Sequence, residues 1–132
     1  MTQPAKRVLI VDDDEDLVEV ISRFLEANGY AVARASSGAE GVRRAKEDRP
    51  NLILMDIMMS ERTEGFFAIQ EIRRTPEIGA VPIFVISAML GRLPDIDVPE
   101  GGGWMAHDLF LPKPVDLGYL LEKVRQRIGS AN

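Results

Sequence analysis

Four separated places in this 132-residue chain carry side chains that would form one reaction centre if the fold brought them together. Asp56 ends the apolar run Leu52-Ile53-Leu54-Met55, and Asp12 and Asp13 end Val8-Leu9-Ile10-Val11. Ser87 ends Ile83-Phe84-Val85-Ile86, and Lys113 lies just past Asp108-Leu109-Phe110-Leu111. One acid, serine or lysine at a strand end is ordinarily a solvated surface residue, so the information lies in the repetition. Three carboxylates held close together repel one another unless some protonate or a cation joins them. A small hard cation, Mg²⁺ (or Mn²⁺), suits oxygen ligands and keeps several of its waters. With Asp56 as nucleophile, the metal and Lys113 balancing charge and Ser87 hydrogen-bonding a transferred oxygen, the set fits phosphoryl transfer.

Such side chains need a scaffold, and the apolar runs supply it. Continuous apolar stretches of this length read as strands covered on both faces, as in parallel sheets. Between them the period changes to that of helices. Leu17, Val20, Ile21, Phe24 and Leu25 form one stripe, stopped by Asn28-Gly29. Tyr30 to Ala35 reads as an edge strand, and Ser36-Ser37-Gly38 opens a helix on Ala39, Val42 and Ala45. The third strand runs from Asn51 to Met55, followed by a loop from Asp56 to Glu64 and a helix from near Gly65 that buries Phe66, Ile69 and Ile72. Thr75-Pro76 breaks that helix, and Pro82 to Ser87 is the fourth strand. Asp108 to Leu111 makes a short fifth strand, and a last helix carries Leu117, Leu120, Leu121, Val124 and Ile128 to a stop at Gly129-Ser130.

The pattern predicts an α/β, doubly wound, five-stranded parallel sheet of order 2-1-3-4-5. Its fourth helix is expected to be irregular or shortened, because residues 90–104 include Pro94, Pro99 and Gly101-Gly102-Gly103. In this order strands one and three lie side by side at the switch point, with the ligand crevice beyond their carboxyl ends. Asp12, Asp13 and Asp56 are expected to converge there. The same first loop argues against a phosphate-binding loop: Asp12-Asp13-Asp14-Glu15-Asp16 stands where glycines and bare N–H groups would meet an anion. Asp14 and Glu15 are read as helix-capping acids.

Composition bounds the rest. At 45% hydrophobic and 28% charged, the chain fits a single domain over residues 1–132, with its core at about 6–129. A net charge of -5 argues against a nucleic-acid surface, which needs clustered Lys and Arg. Without cysteine there is neither a disulfide framework nor a thiolate metal site. No apolar run is long enough for a membrane span and no secretory h-region stands at the N-terminus, so the expected location is cytoplasmic.

Val11-Asp12-Asp13-Asp14, Leu54-Met55-Asp56-Ile57-Met58-Met59, Glu64-Gly65-Phe66, Val81-Pro82-Ile83, Ile86-Ser87-Ala88 and Lys113-Pro114 together resemble the receiver domain of two-component response regulators, over nearly the whole chain. The resemblance implies the flavodoxin-like receiver fold, with Asp56 as phosphoacceptor and Asp13, Asp56 and the backbone carbonyl of Met58 as metal ligands, Asp12 acting indirectly or through water. It implies Ser87 as switch hydroxyl, Phe110 as switch aromatic, Lys113 as the charge-balancing lysine and a cis Lys113-Pro114 bond. It also implies a signalling switch rather than an enzyme, loaded by a histidine kinase or histidine phosphotransfer protein and read by a downstream protein target. His107 is not the donor histidine and reads as a surface or capping residue. The chain departs from the family pattern in having Ser60 where proline is usual, and in its extra length between Ser87 and Lys113. Apolar Met58 and Met89 flank the acceptor site, which predicts slow autodephosphorylation, since no polar side chain there holds a water in line. Two other readings remain: an unphosphorylated interaction module, and a Mg²⁺-dependent phosphatase working through an aspartyl phosphate.

Overall fold

The computed structural model describes residues 5–57, 64–87 and 109–130. Five parallel strands, β1 (Arg7–Val11), β2 (Ala31–Ala35), β3 (Leu52–Asp56), β4 (Ile83–Ser87) and β5 (Leu109–Pro112), form one sheet in the order β2-β1-β3-β4-β5. Helices α1 (Glu15–Ala27), α2 (Gly38–Asp48), α3 (Glu64–Arg74) and α4 (Leu117–Ile128) cover it. The connection expected to hold the irregular fourth helix lies outside the described residues, as do Met58, Ser60, Met89 and His107. The side chains of Phe66, Ser87 and Phe110 do too.

Alternation along each strand sorts the core into two layers. Leu9, Val11, Ile53, Met55 and Val85 face α2 and α3, meeting Ala45, Ile69 and Ile72. Val8, Ile10, Leu52, Leu54 and Ile86 face α1 and α4, meeting Ile21, Leu25, Leu120 and Val124. Because both faces are covered, β1 and β3 are apolar at every position between their polar ends. Among the described residues no helix is long and apolar enough to cross a membrane.

Two helix faces differ from expectation. Val20 is 51% exposed, whereas Val18, Ile21, Ser22 and Leu25 are buried. At about 100° per residue that buried set is centred roughly 150° from Val20. The polar Ser22 at its edge disguises the true stripe. In α2 the buried residues are Gly38, Gly41 and Ala45, with Val42 partly covered, and Ala39 is exposed. The smallest side chains face inward because a Cβ at position 41 would come within 2.8 Å of Val11 Cγ2. The third strand also runs one residue further than read, with Asp56 in register with Ile86. The acceptor candidate is therefore held by a strand ladder and is not the first residue of a loop.

At the amino rim of the sheet, hydrogen bonds close the structure. The Lys6 ammonium donates to the Ile128 carbonyl and Tyr30 Oη donates to Gly129 O at 2.7 Å, joining the end of α4 to the starts of β1 and β2. Arg7 N donates to Asn51 Oδ1 and Asn51 N to Arg7 O, both at 2.8 Å. The Arg73 guanidinium donates to the carbonyls of Gly79 at 2.9 Å and Val81 at 2.6 Å.

Candidate functional site

At the carboxyl rim the register of β1 on β3 pairs Val11 with Met55, so the next residues, Asp12 and Asp56, emerge side by side. Asp12 N donates to Ala35 O at 3.0 Å, which fixes the chain at the end of β1. Asp12 and Asp56 are 2% and 1% exposed, while Asp13 is exposed. One carboxylate oxygen from each of the three lies within 4.8 Å of the others. Asp14 does not join them: its Oδ1 accepts from Leu17 N at 3.2 Å and caps α1, as expected.

Lys113, one residue past β5, reaches across the rim to both buried acids. Its Nζ donates to Asp56 Oδ2 at 3.3 Å and lies 3.2 Å from Asp12 Oδ2, close enough for an ion pair. Asp12 Oδ1 accepts from the Asp14 amide at 2.9 Å, whereas its Oδ2 has no aligned hydrogen-bond donor among the described residues. Burial pushes the Asp12 carboxyl up from 3.8 to about 6; the charge of Asp56 adds to this, and the Asp14 amide and Lys113 oppose it. Burial alone would favour a neutral Lys113 amine, but the charges of Asp56 and Asp12 outweigh it and hold the ammonium above its usual range.

This arrangement fits a small divalent cation. Three carboxylate oxygens lie within reach of one ion, among the described residues the buried Asp12 Oδ2 lacks an aligned donor, and exposed Asp13 leaves the solvent side open for waters. Asp12 also borders an open cleft toward Glu15, Arg34 and Ser36, which gives a path from solvent. Thus Asp12, Asp13, Asp56 and Lys113 are brought together. Ser87 ends β4 on the same rim, in register with Pro112, and Phe110 lies within β5, in register with Val85. The Lys113-Pro114 peptide is cis, as the resemblance implies. The Asp14 amide on Asp12 was not anticipated. Its signal is the spacing itself, since an aspartate commonly accepts from the amide two residues on.

Residues 8–125 match the response regulator receiver domain family. Among curated proteins, Protein PilH of Pseudomonas aeruginosa is 32% identical over 118 residues, spanning 89% of this chain and 93% of PilH. The DNA-binding dual master transcriptional regulator RpaA of Synechocystis is 34% identical over 120 residues, 90% of this chain but only 47% of RpaA. The chain thus spans about half the length of that relative. Among solved structures, the receiver domain of the sensor histidine kinase PA1611 from Pseudomonas aeruginosa has a TM-score of 0.77 and 27% identity, covering 96% of this chain and 99% of that one. That structure has a magnesium ion coordinated in its active-site cleft.

Proposed function

This chain belongs to the response regulator receiver domain family, and from that premise we propose that it is a phosphorylation-dependent signalling switch with Asp56 as its Mg²⁺-dependent acceptor. The observation that carries the reading is the Lys113 ammonium set between two buried carboxylates beside a third, exposed one. An Asp56 oxygen attacks the phosphorus of a phosphohistidine on a histidine kinase or phosphotransfer protein. The P–N bond breaks, the imidazole leaves with its electron pair, and an aspartyl phosphate forms. Asp13, Asp56 and the Met58 carbonyl would hold the ion, with Asp12 acting indirectly or through water. When bound, the ion neutralises charge on the transferred group. Lys113 would stabilise the same oxygens, and burial of Asp12 and Asp56 strengthens every charge interaction there.

Ser87 then closes on the phosphoryl group, Phe110 moves into the space released, and the face of β4 and β5 changes for a downstream protein. The chain acts as one receiver unit in the cytoplasm, with at most self-catalysed phosphorylation and slow autodephosphorylation. Incubation with Mg²⁺ and acetyl phosphate, followed by intact mass, tests the proposal. A lasting adduct absent from Asp56→Asn is expected. No adduct would indicate an interaction module that is not phosphorylated, and rapid turnover of acetyl phosphate a phosphatase.

A further inference from the structure

The first turn of α3 crosses the exit of β3 with backbone against backbone. A Cβ built at Gly65 would lie 2.5 Å from Asp56 O and 2.5 Å from Ile57 Cα, distances that no relaxed structure tolerates. The obstructing atoms are main chain, so no rotamer change relieves the clash. Neither side can easily retreat. Ala68, Ile69 and Ile72 anchor α3 in the same apolar layer as Ile53, Met55 and Ile57. On the strand side, Asp56 is in register with Ile86 and the Ile57 amide donates to Ile86 O at 3.3 Å. Displacement would therefore fall on the rim itself, at the residue that carries the acceptor and the one after it.

We infer that Gly65 is a positioning residue for the metal and acceptor site, its missing side chain setting where Asp56 stands relative to Asp12 and Asp13. The inference rests on the acceptor reading above. It assigns Gly65 no contact with the ion or the phosphoryl group. Misplacement of ligands or reacting atoms by a fraction of an ångström to one ångström commonly costs on the order of 10-fold to 100-fold.

Gly79 supplies the control. A Cβ there would also meet only main chain, at 3.0 Å from Arg73 O and 3.1 Å from Thr75 O, but at the opposite rim. Gly65→Ala and Gly79→Ala are compared by urea unfolding, by calorimetric Mg²⁺ titration and by the rate of adduct formation with acetyl phosphate. The expected result is a loss of about 10-fold or more in Mg²⁺ affinity and adduct rate for Gly65→Ala. Gly79→Ala should show neither loss, whatever its cost in urea midpoint. Wild-type Mg²⁺ affinity and adduct rate in Gly65→Ala, or equal losses in both variants, would overturn the inference. If Gly65→Ala does not fold, the wild-type amide resonances decide. Those of Asp13 and Gly65 should shift along one Mg²⁺ titration curve while Gly79 stays still, and a silent Gly65 would overturn it. Failure of the wild type to bind Mg²⁺ or form the adduct would instead remove the acceptor reading, and this inference with it.

Discussion

The two rims of the sheet handle their polar groups in opposite ways. At the amino rim, donors and acceptors meet within the chain: Lys6 on Ile128 O, Tyr30 on Gly129 O, Arg7 and Asn51 on each other, and Arg73 on two carbonyls. At the carboxyl rim, two carboxylates are 2% and 1% exposed against the Lys113 ammonium, and among the described residues Asp12 Oδ2 lacks an aligned donor; Asp48 Oδ2 at the amino rim lacks one too, but on a part-exposed side chain 3.6 Å from the Arg44 guanidinium. Burying charge with incomplete pairing destabilises a fold, whereas hydrogen bonds with both partners satisfied contribute modestly to it. Among the described residues, the difference is that the carboxyl rim gathers three acids around one lysine, whereas the amino rim pairs Lys6 and Arg73 with carbonyls.

The strongest way to break this comparison is Asp56→Asn. It is expected to abolish the acetyl phosphate adduct in intact mass, and an adduct of undiminished yield would move the acceptor elsewhere. Lys113→Met comes next. It removes the Lys113 ammonium from two adjacent buried acids and should cost about 3 kcal/mol at pH 8 in urea unfolding, less at pH 5, where Asp12 can protonate. A loss that does not vary with pH would show that the ammonium does not compensate the acids.

The third prediction concerns pH in the metal-free protein. The folded Asp12 carboxyl titrates at about 6 against 3.8 for the free group, so between those values the folded state holds a proton that the unfolded state has released. Stability should therefore fall as pH rises from about 4 to about 6, by about 2 kcal/mol or less, and then level off. Lys113 adds no slope in this window. Its raised value gives stability that is fully present below the unfolded value and lost only in strong alkali. Saturating Mg²⁺ should flatten the decline, and equal slopes with and without the metal would contradict its binding at Asp12. The smallest effect is expected from Tyr30→Phe at the other rim. Loss of the bond to Gly129 O should cost about 1 kcal/mol and leave Mg²⁺ affinity unchanged.

Legibility in the sequence followed the same division. Asp12, Asp13, Asp56 and Lys113 could be read because each stands just after or at the end of an apolar run, and the order of a doubly wound sheet turns such positions into neighbours. The amino-rim bonds could not be read. Whether Lys6 reaches Ile128 O depends on where helix and strand ends finish in space, and no periodicity carries that. Val20 misled because a valine beside a true stripe is indistinguishable by type from one inside it, while the buried Ser22 is polar and so adds nothing to an apolar pattern. Glu64-Gly65-Phe66 stood out only as part of a family motif. The need for glycine there comes from a main-chain crossing that composition does not encode.

The position of β5 has a consequence for the order of assembly. It is an edge strand, paired among the described residues with β4 alone, and Lys113 follows directly upon it. A nascent chain that has emerged through β4 already carries Asp12 and Asp56 but not yet the Lys113 ammonium that pairs with both. Docking of the final strand and arrival of the Lys113 ammonium between the two acids are thus one event, which waits until the chain has been made past residue 113.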